Sequence, residues 1–253
     1  MGMKRLMKKL PNIYGFNKTS EAGHNVFAPS IFLKGCNLRC PYCMNARLVK
    51  NERIAPLNIE EIKQYVLKER CEWIMLSGGE PTVTPVGALI ALINELKSWG
   101  CMVGMSTNGN MPEILKKVLP LVNYVALDFK CARSEDISQI ASESENMIPE
   151  FNKSYGMSLI RSHVQLIEAK LHRKDFDYEV RTTLYPLFID KKAIEEIGSM
   201  LRSDCAWILQ QFRHNKNMLS EDAYNVTPYE PEEVDELLKI AKTYCKNVRV
   251  RYV

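Results

Sequence analysis

Long apolar runs are missing from this sequence, and no stretch is long enough to cross a bilayer. The first residues are basic (Lys4, Arg5, Lys8, Lys9), but no apolar segment follows them, which argues against a secretory signal. Position 6 is Leu6 rather than Ser or Thr, which argues against myristoylation at Gly2. A large excess of one charge is also missing. A net charge of +4 over 253 residues makes no case for nucleic acid as a partner. Histidine is scarce. His24, His163, His172 and His214 show no ligand spacing, and His163 and His172 fall on a predicted helix where they are expected at the surface. Closely spaced cysteines are absent outside one loop. Cys71, Cys101, Cys131, Cys205 and Cys245 stand alone in apolar surroundings and read as small buried hydrophobes. That pattern argues against a disulfide framework and a second metal cluster, and it points to a reducing, cytoplasmic location. No internal repeat or low-complexity tract is present.

Core-forming residues are plentiful: 46% of the chain is hydrophobic, enough for one large domain over 1–253. Residues 1–10 read as a short amphipathic helix. Residues 1–25 as a whole read as a lead-in, with short strand pairing near 13–16. Strands are then predicted at 26–33, 73–76, 101–105, 122–127, 178–184, 206–211 and 248–253. Helices are predicted at 57–68, 85–99, 113–119, 156–172, 190–201 and 231–244. Residues 131–155 are rich in Ser and acidic side chains and read mostly as an inserted loop, and 215–229 as a second loop. Six strand–helix units and a closing strand predict an α/β fold, an incomplete (β/α)6 TIM-like barrel with parallel strands.

Unusual polar groups gather at the C-terminal ends of those strands, the face that carries the site in such folds. The first strand ends in Cys36, Cys40 and Cys43, spaced i, i+4 and i+7. Three thiolates on one loop can converge on one metal centre. Three is one fewer than a structural zinc or an ordinary iron–sulfur cluster takes, so one iron would be open to a small molecule. Structural thiols, or three ligands of a zinc completed elsewhere, are the plainer alternatives. Tyr42 precedes the third cysteine, where an aromatic ring can shield a cluster or stack on a ligand. The second strand ends in Gly78, Gly79 and Glu80, whose backbone carbonyls and carboxylate suit an ammonium group. The third ends in Thr107, Asn108 and Gly109, with Asn108 a candidate ligand contact. Asp128 and Lys130 end the next strand on one side, with Phe129 on the other, and match the two charges of an amino-acid zwitterion. Arg181 faces either the lumen or solvent, which alternation alone does not decide. Gln210, Gln211 and Arg213 end a further strand at the same mouth.

With the triplet and the Gly-Gly-Glu turn placed, the chain resembles the radical S-adenosylmethionine (SAM) superfamily. Within it, the sequence is similar to activating proteins of anaerobic ribonucleotide reductase and other glycyl radical enzymes. The resemblance runs through Gly15–Ser20, Cys40-Pro41-Tyr42-Cys43, Gly78–Thr82, Thr107-Asn108-Gly109, Asp128-Phe129-Lys130, Arg181-Thr182-Thr183 and Gln210–Arg213. It implies a 4Fe–4S cluster on Cys36, Cys40 and Cys43 that binds SAM at its open iron. It implies one electron from reduced ferredoxin or flavodoxin, cleavage to methionine and a 5′-deoxyadenosyl radical, and hydrogen abstraction from a substrate. It further implies that Gly78, Gly79 and Glu80 hold the methionine amino group. Asp128 and Lys130 would contact the methionine portion, with Lys130 on its carboxylate, and the backbone from Tyr42 to Met44 would face the adenine. Met44-Asn45 stands where the family usually has His-Asn. Ser106 stands where the activating enzymes often have an Asp that helps hold a monovalent cation. Three functions compete: an activase for a glycyl radical enzyme, a radical enzyme acting on a small molecule or peptide, and a non-catalytic three-cysteine metal protein.

Overall fold

The computed structural model describes residues 10–22, 26–50, 52–141 and 148–252. The helix expected over 1–10 therefore lies almost wholly outside the described residues, as does His24. Eight strands form one sheet in sequential order. β1 (Gly15–Ala22) pairs antiparallel with β2 (Val26–Leu33). Only three residues separate them, and so short a connection permits only antiparallel pairing. The lead-in is thus a full strand, longer than the pairing expected near 13–16. From β2 onward every neighbour is parallel: β3 (Trp73–Gly78), β4 (Met102–Thr107), β5 (Tyr124–Asp128), β6 (Asp177–Leu184), β7 (Ala206–Gln211) and β8 (Asn247–Arg251). β8 does not pair back to β1 among the described residues, so the barrel is incomplete, as the alternation predicts.

The helices are α1 (Ala46–Val49), α2 (Ile59–Lys68), α3 (Val86–Ser98), α4 (Pro112–Val118), α5 (Ser134–Ile140), α6 (Ile148–His172), α7 (Lys191–Met200) and α8 (Pro231–Tyr244). Local chemistry sets several of their starts. The Asn58 side chain accepts from the Glu60 N–H at 3.0 Å, and Asp190 accepts from the Ala193 N–H at 2.8 Å, each cap worth about 1 kcal/mol. Leu89, Leu92, Ile93 and Leu96 of α3 are all fully buried, each contributing roughly 1.5–3 kcal/mol.

The stretch 131–155 departs from the expected loop. It holds α5 and the first turns of α6, which starts at Ile148 rather than at 156. α5 is too short to show a periodic pattern. It is fixed by two buried isoleucines, Ile137 and Ile140, and by Arg133, whose guanidinium donates to Asp136 at 2.7 Å and to Asp190 at 2.6 Å. The five lone cysteines are all buried, as expected. His172 is exposed, as expected, but His163 is buried at 3% exposure. Its ring packs edge-on to Phe129 and Tyr178, and burial holds it neutral, with its pKa lowered to about 4. Among the described residues no helix is long and apolar enough to cross a membrane.

Inside the barrel, Ala28, Met75, Tyr124 and Ala126 fill the floor of the lumen. Toward the mouth, Arg251 donates to both oxygens of Glu179 at 3.1 and 3.2 Å. Glu179, Arg181 and Thr183 alternate along β6 with Val180 and Thr182, and Thr182 faces outward to accept from the Trp207 indole at 3.0 Å. That alternation turns Arg181 into the lumen.

Candidate active site at the barrel mouth

The cysteine loop leaves β2 and closes into α1, with the Gly35 N–H donating to the Leu48 carbonyl at 3.1 Å. Three braces hold it. The Arg39 N–H donates to the carbonyl of Ile140, the last residue of α5, at 2.7 Å. The Ser220 N–H donates to the Pro41 carbonyl at 3.0 Å. The Asn45 side-chain amide donates to the Gly78 carbonyl at 2.6 Å, tying the loop to the end of β3. The stretches 131–155 and 215–229 thus support the loop from two sides.

Cys40 is buried, and Cys36 and Cys43 are half-buried. Burial pushes the Cys36 thiol up to about 11 and the Cys40 thiol up to about 12, and it raises Cys43 as well. Lys130 acts in the opposite direction at all three. Neutral thiols are the metal-free form, and metal binding would draw off their protons. No three His, Cys, Asp or Glu side chains gather closely enough for one metal ion among the described residues. Three soft thiol donors on one loop are a donor set that an iron–sulfur cluster takes.

The first flank of the mouth is built on Glu80. Its carboxylate is 2% exposed and takes four hydrogen bonds. Oε1 accepts from the Thr82 N–H at 3.0 Å, the Thr82 hydroxyl at 2.6 Å and the Thr107 hydroxyl at 2.8 Å, and Oε2 accepts from the Asn108 N–H at 2.6 Å. Every donor is neutral. Burial raises the Glu80 pKa against the pull of those four bonds. The two glycines before it are demanded by packing. Gly78 has φ +102°, and a Cβ there would lie 2.6 Å from the Leu33 carbonyl oxygen. A Cβ on Gly79 would overlap the Gly35 carbonyl. The Asn108 amide donates to Asn37 at 2.8 Å and lies 3.9 Å from the Cys36 sulfur, so Asn108 touches both Glu80 and the cysteine loop.

The second flank carries the opposite balance. Asp128 meets Arg181 at 2.7 Å and Lys130 at 3.1 Å. Burial would raise Asp128, but the two cations outweigh it and hold the carboxyl below its ordinary value. Lys130 and Arg181 are both raised, because the attraction of Asp128 exceeds the cost of their burial. Phe129 is buried on the other side, as the alternation predicts. Asp128 and Lys130 lie on one side as expected, and they pair with each other, with Arg181 as a second cation on the same carboxylate.

Beside this flank opens a cavity of about 210 Å³. Tyr42, Cys43, Met44, Asp128, Lys130, Arg181 and Gln210 line it, with Arg213 at its exposed rim. The Tyr42 ring packs 4.7 Å from that of Tyr185 and also contacts Phe188 and Phe212, so it belongs to an aromatic cluster behind the loop. Gln211 donates to the Tyr229 carbonyl at 2.8 Å and anchors the loop after β7. Sequence reasoning passed over Asn45, Thr82 and Thr107 as supports of the site. Asn45 stands two places after the third cysteine and Thr107 lies within the Thr-Asn-Gly turn, so their positions were visible but their partners were not.

Comparison with known proteins adds the following. The family model described as the radical SAM superfamily matches residues 30–148. A protein of Methanocaldococcus jannaschii, which carries the provisional name glycyl-radical enzyme activating enzyme, is 30% identical over 225 residues, 88% of each chain. The 7-carboxy-7-deazaguanine synthase of Thermococcus kodakarensis is 26% identical over 151 residues, 51% of this chain and 59% of the synthase. Among solved structures, Streptococcus suis SuiB bound to S-adenosylmethionine superposes with a TM-score of 0.57 at 12% identity, covering 91% of this chain and 52% of SuiB. At that identity SuiB speaks for the fold alone, and this chain spans about half its length.

Proposed function

The chain belongs to the radical SAM superfamily, and we propose that it activates a glycyl radical enzyme from SAM bound at the mouth described above. Membership makes it an enzyme of that superfamily, whose chemistry implies a 4Fe–4S cluster and SAM. Cys36, Cys40 and Cys43 would hold the cluster. When bound, the cluster and SAM supply reductive carbon–sulfur cleavage and hydrogen abstraction, with the electron coming from a reduced ferredoxin or flavodoxin.

The observation that carries the site assignment is the opposite charge of the two flanks. Glu80 is a buried carboxylate whose two oxygens accept only from neutral donors. It attracts an ammonium without having to release a cation first. Arg181 and Lys130 are two cations sharing one carboxylate, which leaves one positive charge for a ligand carboxylate. The methionine end of SAM carries one ammonium and one carboxylate, and it fits across the mouth in that orientation. Asn108 and Asn45 fix the distance between the cysteine loop and the Gly-Gly-Glu turn. The braces at Ile140 and Ser220 tie the loop to the chain on two sides.

The substrate reading rests on the M. jannaschii relative, similar over nearly the whole chain. The synthase matches support a second reading, a radical enzyme acting on a small molecule. One experiment separates them. The protein is reconstituted anaerobically with iron and sulfide, reduced, and given SAM alone or with a candidate glycyl radical protein. Activation predicts 5′-deoxyadenosine above a Cys40→Ala control and a glycyl signal by electron paramagnetic resonance on the added protein. 5′-Deoxyadenosine without that signal for any glycyl radical protein of the same genome would favour the second reading. Bound zinc, no iron–sulfur absorbance and no nucleoside product would overturn both.

A further inference from the structure

The outer face of α6 carries a stripe that the barrel does not use. Met157, Ile160, Val164 and Leu171 are 52%, 39%, 46% and 64% exposed. With half-buried Ile167 they are spaced 3, 4, 3 and 4 residues apart, the repeat of a two-helix seam. The inward face of the same helix is complete without them: Leu159, Ser162, His163 and Leu166 are buried against the barrel. A helix docked on a sheet needs one apolar face, and this one has two. Single exposed apolar residues are ordinary, but a continuous row of them over two heptads marks a contact surface.

We propose that this stripe is a self-association seam, in which two copies of the chain pair α6 against α6 antiparallel about a two-fold axis. The charges beside the seam select the occupant. Arg161 and Glu168 are exposed, lie one heptad apart on the same rim, and form no ion pair among the described residues. An axis between 165 and 166 sets Val164 against Ile167 of the second copy and Ile160 against Leu171 of the second copy. The same register sets Arg161 of each copy against Glu168 of the other, because antiparallel helices bring like rim positions together. Parallel pairing would instead set Glu168 against His163, which is buried, and Arg161 against Gly156, which carries no charge. The sequence of the rim is therefore complementary to itself in one orientation only. α6 runs back against the strands, so antiparallel pairing points the two mouths in opposite directions and leaves both open. The seam is short, which puts the interface at the small end of specific contacts and the dimer in the reversible, roughly micromolar range.

Sedimentation velocity on the whole protein over a dilution series tests this. The wild type should pass from dimer to monomer on dilution. Val164→Glu should be monomeric throughout, with an unchanged circular dichroism spectrum because the side chain is nearly half exposed. Arg161→Glu alone and Glu168→Arg alone should each weaken the dimer about tenfold or more, by setting like charges opposite each other. An equimolar mixture of those two variants should dimerise again, since each then meets its opposite. A wild type that stays monomeric up to on the order of 100 μM would overturn the proposal. So would a dimer indifferent to Val164→Glu, or a mixture that fails to reassociate.

Discussion

Two carboxylates stand at one mouth, Glu80 after β3 and Asp128 at the end of β5, and the chain treats them in opposite ways. Glu80 is surrounded by hydroxyls and N–H groups, four bonds with no cation among them. Asp128 is held by an arginine and a lysine. Burial acts on both, yet the pKa of Glu80 rises while that of Asp128 falls. Neutral donors do not overcome desolvation at Glu80, whereas full charges do at Asp128. The functional consequence is polarity. On the proposed reading, one flank offers a carboxylate with no cation beside it and the other carries two cations on one carboxylate, which would orient a zwitterion and not merely attract it. His163, in the wall behind, shows a third response to burial. It has no ion pair among the described residues, and burial favours its neutral form.

The largest effect should come from breaking the charged flank. Asp128→Asn leaves Arg181 and Lys130 facing each other without their shared anion. Removing one partner of a buried ion pair costs about 3–5 kcal/mol, so the midpoint of urea unfolding should fall sharply. An unfolding midpoint within error of the wild type would show that solvent already screens this cluster. His163 should account for the next largest effect, through acid. Its folded pKa of about 4 lies below the unfolded value near 6.5. The unfolded chain therefore binds the extra proton between those values, and stability falls as pH drops from about 6.5 to about 4. Two and a half units correspond to a loss of about 3 kcal/mol across that window. His163→Phe should flatten this part of the stability–pH curve, and an unchanged slope would assign it to other groups.

Much of this architecture was legible in the sequence. Every predicted core strand is present, and α8 has the bounds read from its pattern. The strand-end motifs do converge on one mouth. What escaped was of two kinds. The first is bonding between backbone and distant side chains, such as Asn45 to the Gly78 carbonyl or the Ile140 carbonyl to Arg39, since a carbonyl leaves no trace in residue type. The second is the orientation of α6. Its apolar residues lie on two faces, Leu159 and Leu166 inward and Met157, Ile160, Val164 and Leu171 outward, so the pattern names no inward face. That ambiguity is why His163 reads as a surface residue. Arg181 was undecided for a related reason, because charged residues at strand ends alternate in and out alike.

The next pair of changes separates charge from scaffold at the mouth. Lys130→Met removes one of the two cations and leaves Asp128 with Arg181 alone, so the second flank becomes neutral. Affinity for SAM, measured by equilibrium binding to the reconstituted protein, should fall about tenfold to a hundredfold, the worth of one charge-assisted hydrogen bond. Unchanged affinity would remove Lys130 from the ligand and leave it as a structural partner of Asp128.

The smallest change tests Glu80 from the other side. Thr107→Val deletes one of its four donors and keeps its charge and its burial. It also takes the acceptor from the Gly109 N–H, which bonds the same hydroxyl at 3.1 Å, so two neutral hydrogen bonds are lost and stability should fall by about 1–3 kcal/mol. Affinity for SAM should stay within about twofold, because the carboxylate remains in place and Thr82 and Asn108 still hold it. Glu80→Gln is the matched contrast. It keeps the shape of the side chain but removes the charge and turns an amide toward the Asn108 N–H, so SAM binding should weaken far more than with Thr107→Val. If the two variants weakened SAM binding equally, Glu80 would serve the mouth as a strut between β3 and β4, and the negative flank would have to be sought in the backbone carbonyls of Gly78 and Gly79.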